Sequence, residues 1–248
     1  MQHTLFISDL HLSDNRASDD VTNAVFFRFC ETTTRNAEAL YILGDLFEVW
    51  VGDDCLNEAI PAINQQVARA LKAVADTGTK IYFMHGNRDF LIQAQFAAAA
   101  GLTILLDPTV IDLYGQPTLL MHGDTLCTDD TDYQRVRAMV RNPTWQQQVL
   151  TQPLAARYAL AQDARQQSNN AKANKSAEIM DVNAEAVIAV FRDHKVKTLI
   201  HGHTHRPARH RLHVDEQECT RWVLSDWHDV GQALKISADG AFAVVDLH

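Results

Sequence analysis

Short apolar runs rich in β-branched and aromatic residues alternate along the chain with longer stretches in which apolar residues recur at helical spacing. Five of the short runs stand out: LFIS at 5–8, ALYIL at 39–43, KIYFM at 80–84, PTLLM at 117–121 and KTLI at 197–200. Each has the length and composition of a strand, and strands separated by helices are typical of an α/β sheet. The pattern therefore predicts an α/β fold.

Three helices are predicted between the early strands, because apolar residues recur there every three or four positions. The first, VTNAVFFRFCETTT, follows Asp19 and Asp20, either of which suits an N-cap. The second has Pro61 near its first turn and Gly78 past its end. The third, FLIQAQFAAAA, ends at Gly101.

From about residue 208 the chain reads as strand pairs: RLHV, TRWVLSD, ALKIS and AFAVVDLH. The last two are separated by Asp-Gly at 239–240, which is a hairpin signal. We therefore expect a second, more antiparallel sheet in this part of the chain.

The 80 residues between His122 and His203 differ in composition from the rest, with much Gln, Asn and Ala, and are predicted to form a mainly helical insertion. Residues 133–177 contain seven bases and one acid, a local charge of +6, which leaves −15 for the rest of the chain. Such asymmetry suggests that the insertion meets an anionic ligand or a membrane surface. An ordinary solvated helical face is the alternative.

Composition and charge narrow the class of protein. A chain of 248 residues with 46% hydrophobic and 21% charged residues is typical of a globular protein, and its net charge of −9 argues against general nucleic-acid binding. The four cysteines form no CxxC pair, so neither a zinc ribbon nor a dithiol redox site is indicated, and a reducing cytoplasm is expected. We also expect no signal peptide or membrane-spanning segment, so that any membrane contact is peripheral.

Five polar clusters each follow one of the five predicted strands directly. They are Asp9-Leu10-His11, Gly44-Asp45, Gly86-Asn87-Arg88-Asp89, His122-Gly123-Asp124 and Gly202-His203-Thr204-His205. Ligands of open α/β sheets bind outside the carboxyl ends of the strands, so these clusters are expected to converge. Neighbouring glycines permit the tight turns, including those with positive φ, that direct side chains at one centre.

The residue types in these clusters indicate a metal site. Imidazole, carboxylate and amide oxygen, without thiolate, favour a borderline metal such as Mn, Fe or Zn over Mg or Ca. A single Asp-x-His or His-x-His is more often structural, but five such clusters at five strand ends are specific. The alternative is that these residues are unrelated surface or core groups.

The sequences of the five clusters resemble the five-block signature of the calcineurin-like metallophosphoesterases: DLH, GDLFE, GNRDF, HGD and GHTHRP. That resemblance implies a four-layer α-β-β-α sandwich with a helical cap insertion, in which 1–124 and 196–248 form the core and 125–195 the insertion. It also implies two divalent metal ions, with Mn²⁺ expected. Asp9, His11 and His205 would bind one ion, Asn87, His122 and His203 the other, and Asp45 would bridge them.

One departure from the family pattern affects the expected reaction. Many relatives carry GNH followed by an acid, whereas this chain has Asn87-Arg88-Asp89. Arginine stays charged and cannot serve as a general acid at neutral pH, which favours cleavage of a phosphoanhydride, whose leaving phosphate needs no proton, over that of an alkyl phosphomonoester. The alternative is that Arg88 pairs with Asp89 or another carboxylate.

The longer segments GDLFEVWVGDD, HGNRDFL, LMHGDTLCTDD, IMDVN and HGHTHRP are similar to a branch of the family that acts in lipid A synthesis. The similarity implies hydrolysis of the diphosphate of UDP-2,3-diacylglucosamine, by metal-activated water attacking the α-phosphorus. The implied products are UMP and 2,3-diacylglucosamine 1-phosphate. The implied location is the cytoplasmic face of an anionic inner membrane, with peripheral association. No nucleic-acid partner is expected, and a monomer is favoured although the sequence leaves the oligomeric state open.

The same similarity implies roles for residues of the site and of the insertion. Asn87, Arg88, His122 and His203 would be catalytic; the substrate would contact Asn87, Arg88, Asp130, Ser168, Lys172, Lys175 and His203. Lys172 stands where close relatives are expected to carry Asn, and Ser168 and Lys175 have ordinary exposed residues as their alternative. Apolar residues of the insertion suit either acyl chains or packing onto the core: Met139, Val140, Trp145, Leu150, Leu154 and Tyr158.

Three other functions remain open on the sequence alone. One is a soluble nucleotide diphosphatase or phosphodiesterase of the same superfamily, against which the basic helical insertion argues. Another is a metal-free binding module, against which the complete ligand blocks argue. The third is a nuclease, for which the acidic remainder of the chain offers little.

Overall fold

Two β-sheets lie face to face at the centre of the protein, with helices on the outer face of each. The computed structural model describes residues 2–14, 21–58, 62–173, 179–228 and 230–247, without the side chains of 169 and 171–173. The predicted helix-start residues Asp19, Asp20 and Pro61 fall outside these ranges.

The first sheet has six strands in the order β11-β10-β1-β2-β3-β4. β1 to β4 run parallel, whereas β10 is antiparallel to both β1 and β11. Their bounds are β1 (His3–Ile7), β2 (Ala39–Leu43), β3 (Lys80–Met84), β4 (Leu102–Leu105), β10 (Gly231–Ser237) and β11 (Phe242–Leu247). The carboxyl ends of β1, β2 and β3 therefore share one edge of the sheet.

The second sheet has five strands in the order β5-β6-β7-β9-β8. β6, β7 and β9 run parallel, and the edge strands β5 and β8 are antiparallel to their neighbours. Their bounds are β5 (Thr109–Leu113), β6 (Gln116–Leu120), β7 (Thr198–His201), β8 (Ala208–Val214) and β9 (Gln217–Val223).

Side chains that alternate along the strands build separate cores on the two faces of each sheet, because strand periodicity is two. Leu5 and Ile7 face the helices outside the first sheet, while Phe6 between them faces the second sheet. The core between the sheets comprises Phe6, Leu43, Met84, Leu113, Leu120, Ile200, Trp222, Leu224 and Leu234.

Helices form the outer layers. α1 (Thr22–Thr32), α2 (Ala62–Asp76) and α3 (Ala94–Ala100) bury their apolar faces against the first sheet, and α3 ends at Gly101 in the left-handed conformation. Three more helices follow β6: α4 (Thr131–Val140), α5 (Pro143–Leu150) and α6 (Leu154–Ala173), which we call the helical segment. α7 (Ala184–His194) packs Val187 and Phe191 on the outer face of the second sheet.

The two ends of the helical segment lie next to each other. Asn183, just before α7, donates its backbone N–H to Leu126 O at 2.8 Å and its side-chain amide to Asp129. The residues that precede the helical segment are therefore hydrogen-bonded to those that follow it. No described helix is both long and apolar enough to cross a bilayer.

The apolar residues of the helical segment either pack on the core or are exposed to solvent. Trp145, Leu150, Leu154 and Tyr158 contact the core outside the first sheet. Met139 is 50% exposed. Four of the six apolar residues singled out from the sequence thus pack on the core, whereas Met139 is exposed and could contact a ligand.

The α/β prediction and the four-layer arrangement are confirmed, and the bounds of β2 and β3 match the predicted runs. The expectation of a separate C-terminal sheet is wrong, because β8 and β9 join β5–β7 whereas β10 and β11 extend the first sheet. Short strands β4 and β5 were not predicted. The division into 1–124 with 196–248 and 125–195 stays a prediction; α7, inside the last range, packs on the second sheet.

Candidate metal centre

All seven predicted metal ligands lie where the carboxyl ends of strands from both sheets meet. Backbone hydrogen bonds tie the loops together: Asp9 N donates to Gly44 O at 3.1 Å, and Gly202 N donates to His122 O at 2.9 Å. His203 N donates to Asp9 Oδ2 at 2.8 Å. The loops after β1, β2, β6 and β7 therefore form one continuous cluster.

The first predicted ligand set, Asp9, His11 and His205, is closely spaced. His205 Nε2 lies 3.4 Å from Asp9 Oδ1 and 3.4 Å from His11 Nε2. Asp9 Oδ1 is buried and, apart from this contact with His205, has no hydrogen-bond partner among the described residues. A buried carboxylate oxygen facing two imidazole nitrogens fits a divalent cation.

The second predicted set, Asn87, His122 and His203, converges on one amide oxygen. Asn87 Oδ1 lies 3.2 Å from His122 Nε2 and 3.0 Å from His203 Nδ1. The edge of the first sheet thus supplies an oxygen that faces two imidazoles from the second. This donor set also fits a borderline divalent metal.

Asp45 lies between the two sets. Its Oδ2 is 3.9 Å from His11 Nε2, and its Oδ1 is 4.0 Å from His122 Nε2. Ligand atoms of Asp9, Asp45 and His122 lie within 4.8 Å of one another, as do those of Asp9, His11 and His205. The position of Asp45 is the one that a bridging carboxylate requires.

Five of the seven candidate ligands have a left-handed backbone, which side-chain-bearing residues seldom adopt. Each such residue costs about 1–3 kcal/mol, and such strain clusters at functional sites. The φ values are 56° for Asp9, 51° for His11, 53° for Asp45, 70° for His203 and 54° for His205. The fold therefore holds these five residues in backbone conformations that position the ligands, against their intrinsic conformational preference.

Glycines beside the ligands act in two different ways. Gly44 has φ of 90°, as expected for a tight turn. Gly86 and Gly202 have no positive φ, but a Cβ at either would collide with a ligand carboxylate, that of Asp45 or that of Asp9. The expectation of positive φ is therefore wrong for these two, and close packing explains them.

Outer partners orient the imidazoles. His122 Nδ1 lies 2.8 Å from Leu43 O, which can only accept, so His122 Nε2 is left free to bind a metal. His205 Nδ1 lies 3.4 Å from Asp226 Oδ2, and His11 Nδ1 lies 3.0 Å from Glu48 Oε2. Glu48 was missed, although it belongs to the GDLFE block.

The electrostatics of the centre favour positive charge. Burial alone would lower the pKa of His122 and His205, but nearby carboxylates outweigh it and raise these pKa values to about 9 and about 10. Burial and the neighbouring His122 lower the pKa of His203 to about 4. Burial and the Asp45 carboxylate raise the pKa of Asp89 to about 7. Buried carboxylates therefore produce a negative potential that a cation would relieve.

Arg88 lies beside the centre without forming the expected alternative pair with Asp89. The Asp89 carboxylate accepts from Leu46 N at 2.7 Å and from Gly86 N at 2.8 Å. Arg88 N donates to Asp45 Oδ1 at 2.8 Å, and Arg88 Nε is buried without a hydrogen-bond partner among the described residues. The Arg88 backbone is thus held at the site, and the guanidinium retains an unused donor.

The predicted substrate contacts in the helical segment are only partly described. Asp130 caps α4 by accepting from Tyr133 N at 3.1 Å, and Ser168 is half-buried on α6. The Lys172 side chain and the whole of Lys175 lie outside the described residues. Substrate contacts of these residues stay predictions.

Sequence reasoning missed the polar contacts that dock α4 on the centre. Asp124 Oδ2 accepts from Tyr133 OH and from Arg137 Nε, each at 2.7 Å. The Tyr133 ring also lies 5.8 Å from the His203 ring. Arg141 donates to the Gly86 carbonyl at 2.9 Å. Basic residues at helical spacing in α4 were the available signal, but their partners are distant in sequence.

Comparison with known proteins agrees with this geometry. The family model for calcineurin-like phosphoesterases matches residues 3–207. A UDP-2,3-diacylglucosamine hydrolase of Pseudomonas aeruginosa is 52% identical over 236 residues, covering 95% of each chain. One from Xanthomonas campestris pv. campestris is 52% identical over 244 residues, covering 96% of each. One from Aromatoleum aromaticum is 51% identical, covering 95% of this chain and 94% of its own.

The family match spans all five polar clusters, and the relatives align over nearly the whole chain, including the helical segment. The converging ligand sets are what a dinuclear phosphoesterase requires. The chain belongs to the calcineurin-like phosphoesterase family.

Proposed function

We propose that this protein hydrolyses the diphosphate bond of UDP-2,3-diacylglucosamine, releasing 2,3-diacylglucosamine 1-phosphate and UMP. Two observations together carry the proposal. The seven candidate ligands converge at one centre, and relatives named UDP-2,3-diacylglucosamine hydrolase are 52% identical over 95% of the chain. Water would attack the α-phosphorus, so that the new oxygen leaves on UMP.

Two divalent cations would be held by the residues that converge at the centre. Their imidazole and oxygen donors suit Mn²⁺, Fe²⁺ or Zn²⁺, and the resemblance to the family makes Mn²⁺ the expected metal. Asp9, His11 and His205 would hold one and Asn87, His122 and His203 the other, with Asp45 between them. When bound, such a pair supplies an activated water and neutralises charge on the phosphoryl oxygens.

Arg88 would bind the diphosphate. Its backbone N–H is bonded to Asp45, and its guanidinium keeps a buried unused donor, Nε, which suits a phosphate oxygen. It cannot protonate an alkoxide leaving group, and a lipid 1-phosphate leaves without that help. Asn87, His122 and His203 would act with Arg88 as the catalytic residues.

The helical segment would bind the sugar and the acyl chains. Asp130, Ser168, Lys172 and Lys175 would contact the substrate together with Asn87, Arg88 and His203. Support comes from α6, where Arg165 reaches Glu48 beside His11, and Ser168 follows three residues later on the same helix face. A ligand bridging the metal centre and α6 would therefore meet Ser168.

Residues 125–195 would form the substrate-binding insertion, and the protein would sit on the cytoplasmic face of the inner membrane as a monomer. Exposed apolar residues support the membrane contact: Val136 and Met139 on α4 and Leu160 on α6. The basic residues of the segment contribute less to membrane binding than their number suggests, because three of them form ion pairs within the protein. These pairs are Arg137 with Asp124, Arg157 with Asp54 and Arg165 with Glu48.

A substrate comparison tests the proposal. The purified chain with Mn²⁺ would be assayed on UDP-2,3-diacylglucosamine, on UDP-N-acetylglucosamine and on a dinucleoside polyphosphate. We expect kcat/KM for the diacylated substrate to be at least about 100-fold higher, because two acyl chains bury much apolar surface. Faster hydrolysis of the dinucleoside polyphosphate would instead establish the soluble nucleotide hydrolase.

A further inference from the structure

We propose that Glu48 is a positioning residue for His11 and that Arg165 of α6 holds Glu48 in place. The inference rests on the metal centre of the proposed function. It assigns a role to a carboxylate outside the predicted ligand set and to one arginine of the helical segment.

Glu48 uses its two carboxylate oxygens on different partners. Oε2 lies 3.0 Å from His11 Nδ1, and Oε1 pairs with Arg165 Nη1. The side chains of His11 and Glu48 are only 11% and 15% exposed. Glu48 therefore connects a ligand loop of the first sheet to α6.

The backbone fixes Glu48 beside the His11 loop. Glu48 N donates to Leu12 O at 3.1 Å, and Leu12 N donates to Leu46 O at 2.9 Å. These bonds continue the parallel pairing of β1 and β2 beyond the strand ends as an isolated bridge between Leu12 and Phe47. The carboxylate is thus placed by the fold and not by a flexible surface loop.

The chemistry of this contact determines which nitrogen of His11 can bind a metal. Glu48 Oε2 lies within ion-pair distance of Nδ1, although the ring N–H is not well aligned with it. Because a carboxylate only accepts, a small rotation of the Glu48 side chain would complete the hydrogen bond and keep the proton on Nδ1. Nε2 then presents its lone pair toward Asp45 Oδ2 and His205 Nε2, which are 3.9 and 3.4 Å away. Carboxylates that orient ligand histidines in this way also make the ligand more basic.

Arg165 limits the freedom of Glu48 without contributing much to folding. Its side chain is 42% exposed, and ion pairs of such exposure add little to stability. Loss of Arg165 should therefore be seen at the metal centre and not in the unfolding midpoint. This difference separates positioning from a merely structural role.

The test measures Mn²⁺ binding by calorimetry and Co²⁺ binding by visible absorption. Glu48→Gln should weaken one of two Mn²⁺ steps by about 10- to 100-fold and alter the Co²⁺ spectrum, with the other step unchanged. Arg165→Met should weaken the same step by a smaller factor, and Arg165→Lys should restore it. In the Glu48→Gln background, Arg165→Met should have no further effect, because Arg165 acts through Glu48.

Arg135→Met is the matched control, since Arg135 is 79% exposed and pairs with Asp132 of its own helix. It should leave both Mn²⁺ steps and turnover unchanged. With substrate, Glu48→Gln and Arg165→Met should lower kcat at nearly constant KM. A raised KM with normal metal binding in Arg165→Met would overturn the inference in favour of direct substrate contact.

Unchanged Mn²⁺ steps in Glu48→Gln, or equal shifts in Arg165→Met and Arg135→Met, would also overturn it. If Glu48→Gln does not fold, the Arg165→Met and Arg165→Lys pair carries the test. Failure of the proposed function would look different, because the wild type itself would then bind no pair of Mn²⁺ ions or leave the substrate intact.

Discussion

Asn87 and His203 are separated by 116 positions, yet Asn87 Oδ1 lies 3.0 Å from His203 Nδ1. One follows β3 of the first sheet and the other follows β7 of the second. The contact therefore depends on how the two sheets pack, and it places an amide oxygen where an ion shared with His122 would bind.

Replacing Asn87 by Ala tests this ligand assignment. The change removes one donor atom without adding volume, so the chain should fold normally while one Mn²⁺ step is lost and kcat falls by about 100-fold or more. Calorimetry and a steady-state assay would measure both effects. Asn57→Ala, at an exposed position, is the control; normal metal binding by Asn87→Ala would remove Asn87 from the site.

Gly86→Ala tests the close packing behind Asp45. The added Cβ would collide with the Asp45 carboxylate, so Asp45 must move and both Mn²⁺ steps should weaken. Gly115→Ala is the opposite control, because Gly115 has φ of 82° and open space around it. That variant should lose about 1 kcal/mol of stability and bind Mn²⁺ normally; normal Mn²⁺ binding by Gly86→Ala would contradict the steric account.

Arg137→Met tests how the helical segment is docked. Asp124 is fully buried and would keep Tyr133 as a partner but lose the guanidinium, so unfolding free energy should fall by about 1–3 kcal/mol. Urea denaturation would measure the loss. Arg135→Met should change the free energy of unfolding by less than about 0.5 kcal/mol, since its ion pair is exposed. Equal effects of the two variants would refute the docking role.

The contact of Asp54 with Arg157 gives a pH-dependent prediction. Hydrogen bonds from the Arg157 guanidinium lower the pKa of Asp54 below its ordinary value. The contact therefore stabilises the fold fully above about pH 5 and is lost as pH falls through the lowered pKa. Asp54→Asn should lower the free energy of unfolding by about 1 kcal/mol or less at pH 7, because the Asp54 side chain is 51% exposed and solvent screens the pair. The difference from wild type should shrink toward pH 3.

Urea midpoints between pH 7 and pH 3 would follow that difference. Asp163→Asn provides the control, because Asp163 is exposed on the same helix as Arg157. A difference between Asp54→Asn and wild type that stays constant with pH would show that the ionised carboxylate is not what stabilises the contact.

Local sequence patterns were sufficient for the five strands that precede the polar clusters and for the convergence of those clusters. The runs ending before Gly44 and His85 predicted β2 and β3 to the residue, because continuous apolar runs bounded by turn residues mark buried parallel strands. The ligands follow such runs directly, so their convergence followed from strand ends sharing an edge.

Pairing between distant segments could not be predicted in the same way. The strands that flank residues 239–240 form the expected hairpin, but their partner is β1 at the other end of the chain. The positive charge of the helical segment could be read from the sequence. The acidic partners of its arginines, Asp124, Asp54 and Glu48, could not, because these pairs form only when the segment docks on the rest of the protein.

The most direct test of the central claim is to follow the oxygen that enters from water. The purified chain would be incubated with Mn²⁺ and UDP-2,3-diacylglucosamine in ¹⁸O-enriched water, and both products would be weighed by mass spectrometry. We predict one ¹⁸O atom in UMP and none in 2,3-diacylglucosamine 1-phosphate. Label in the lipid phosphate, or no turnover of this substrate, would contradict the account.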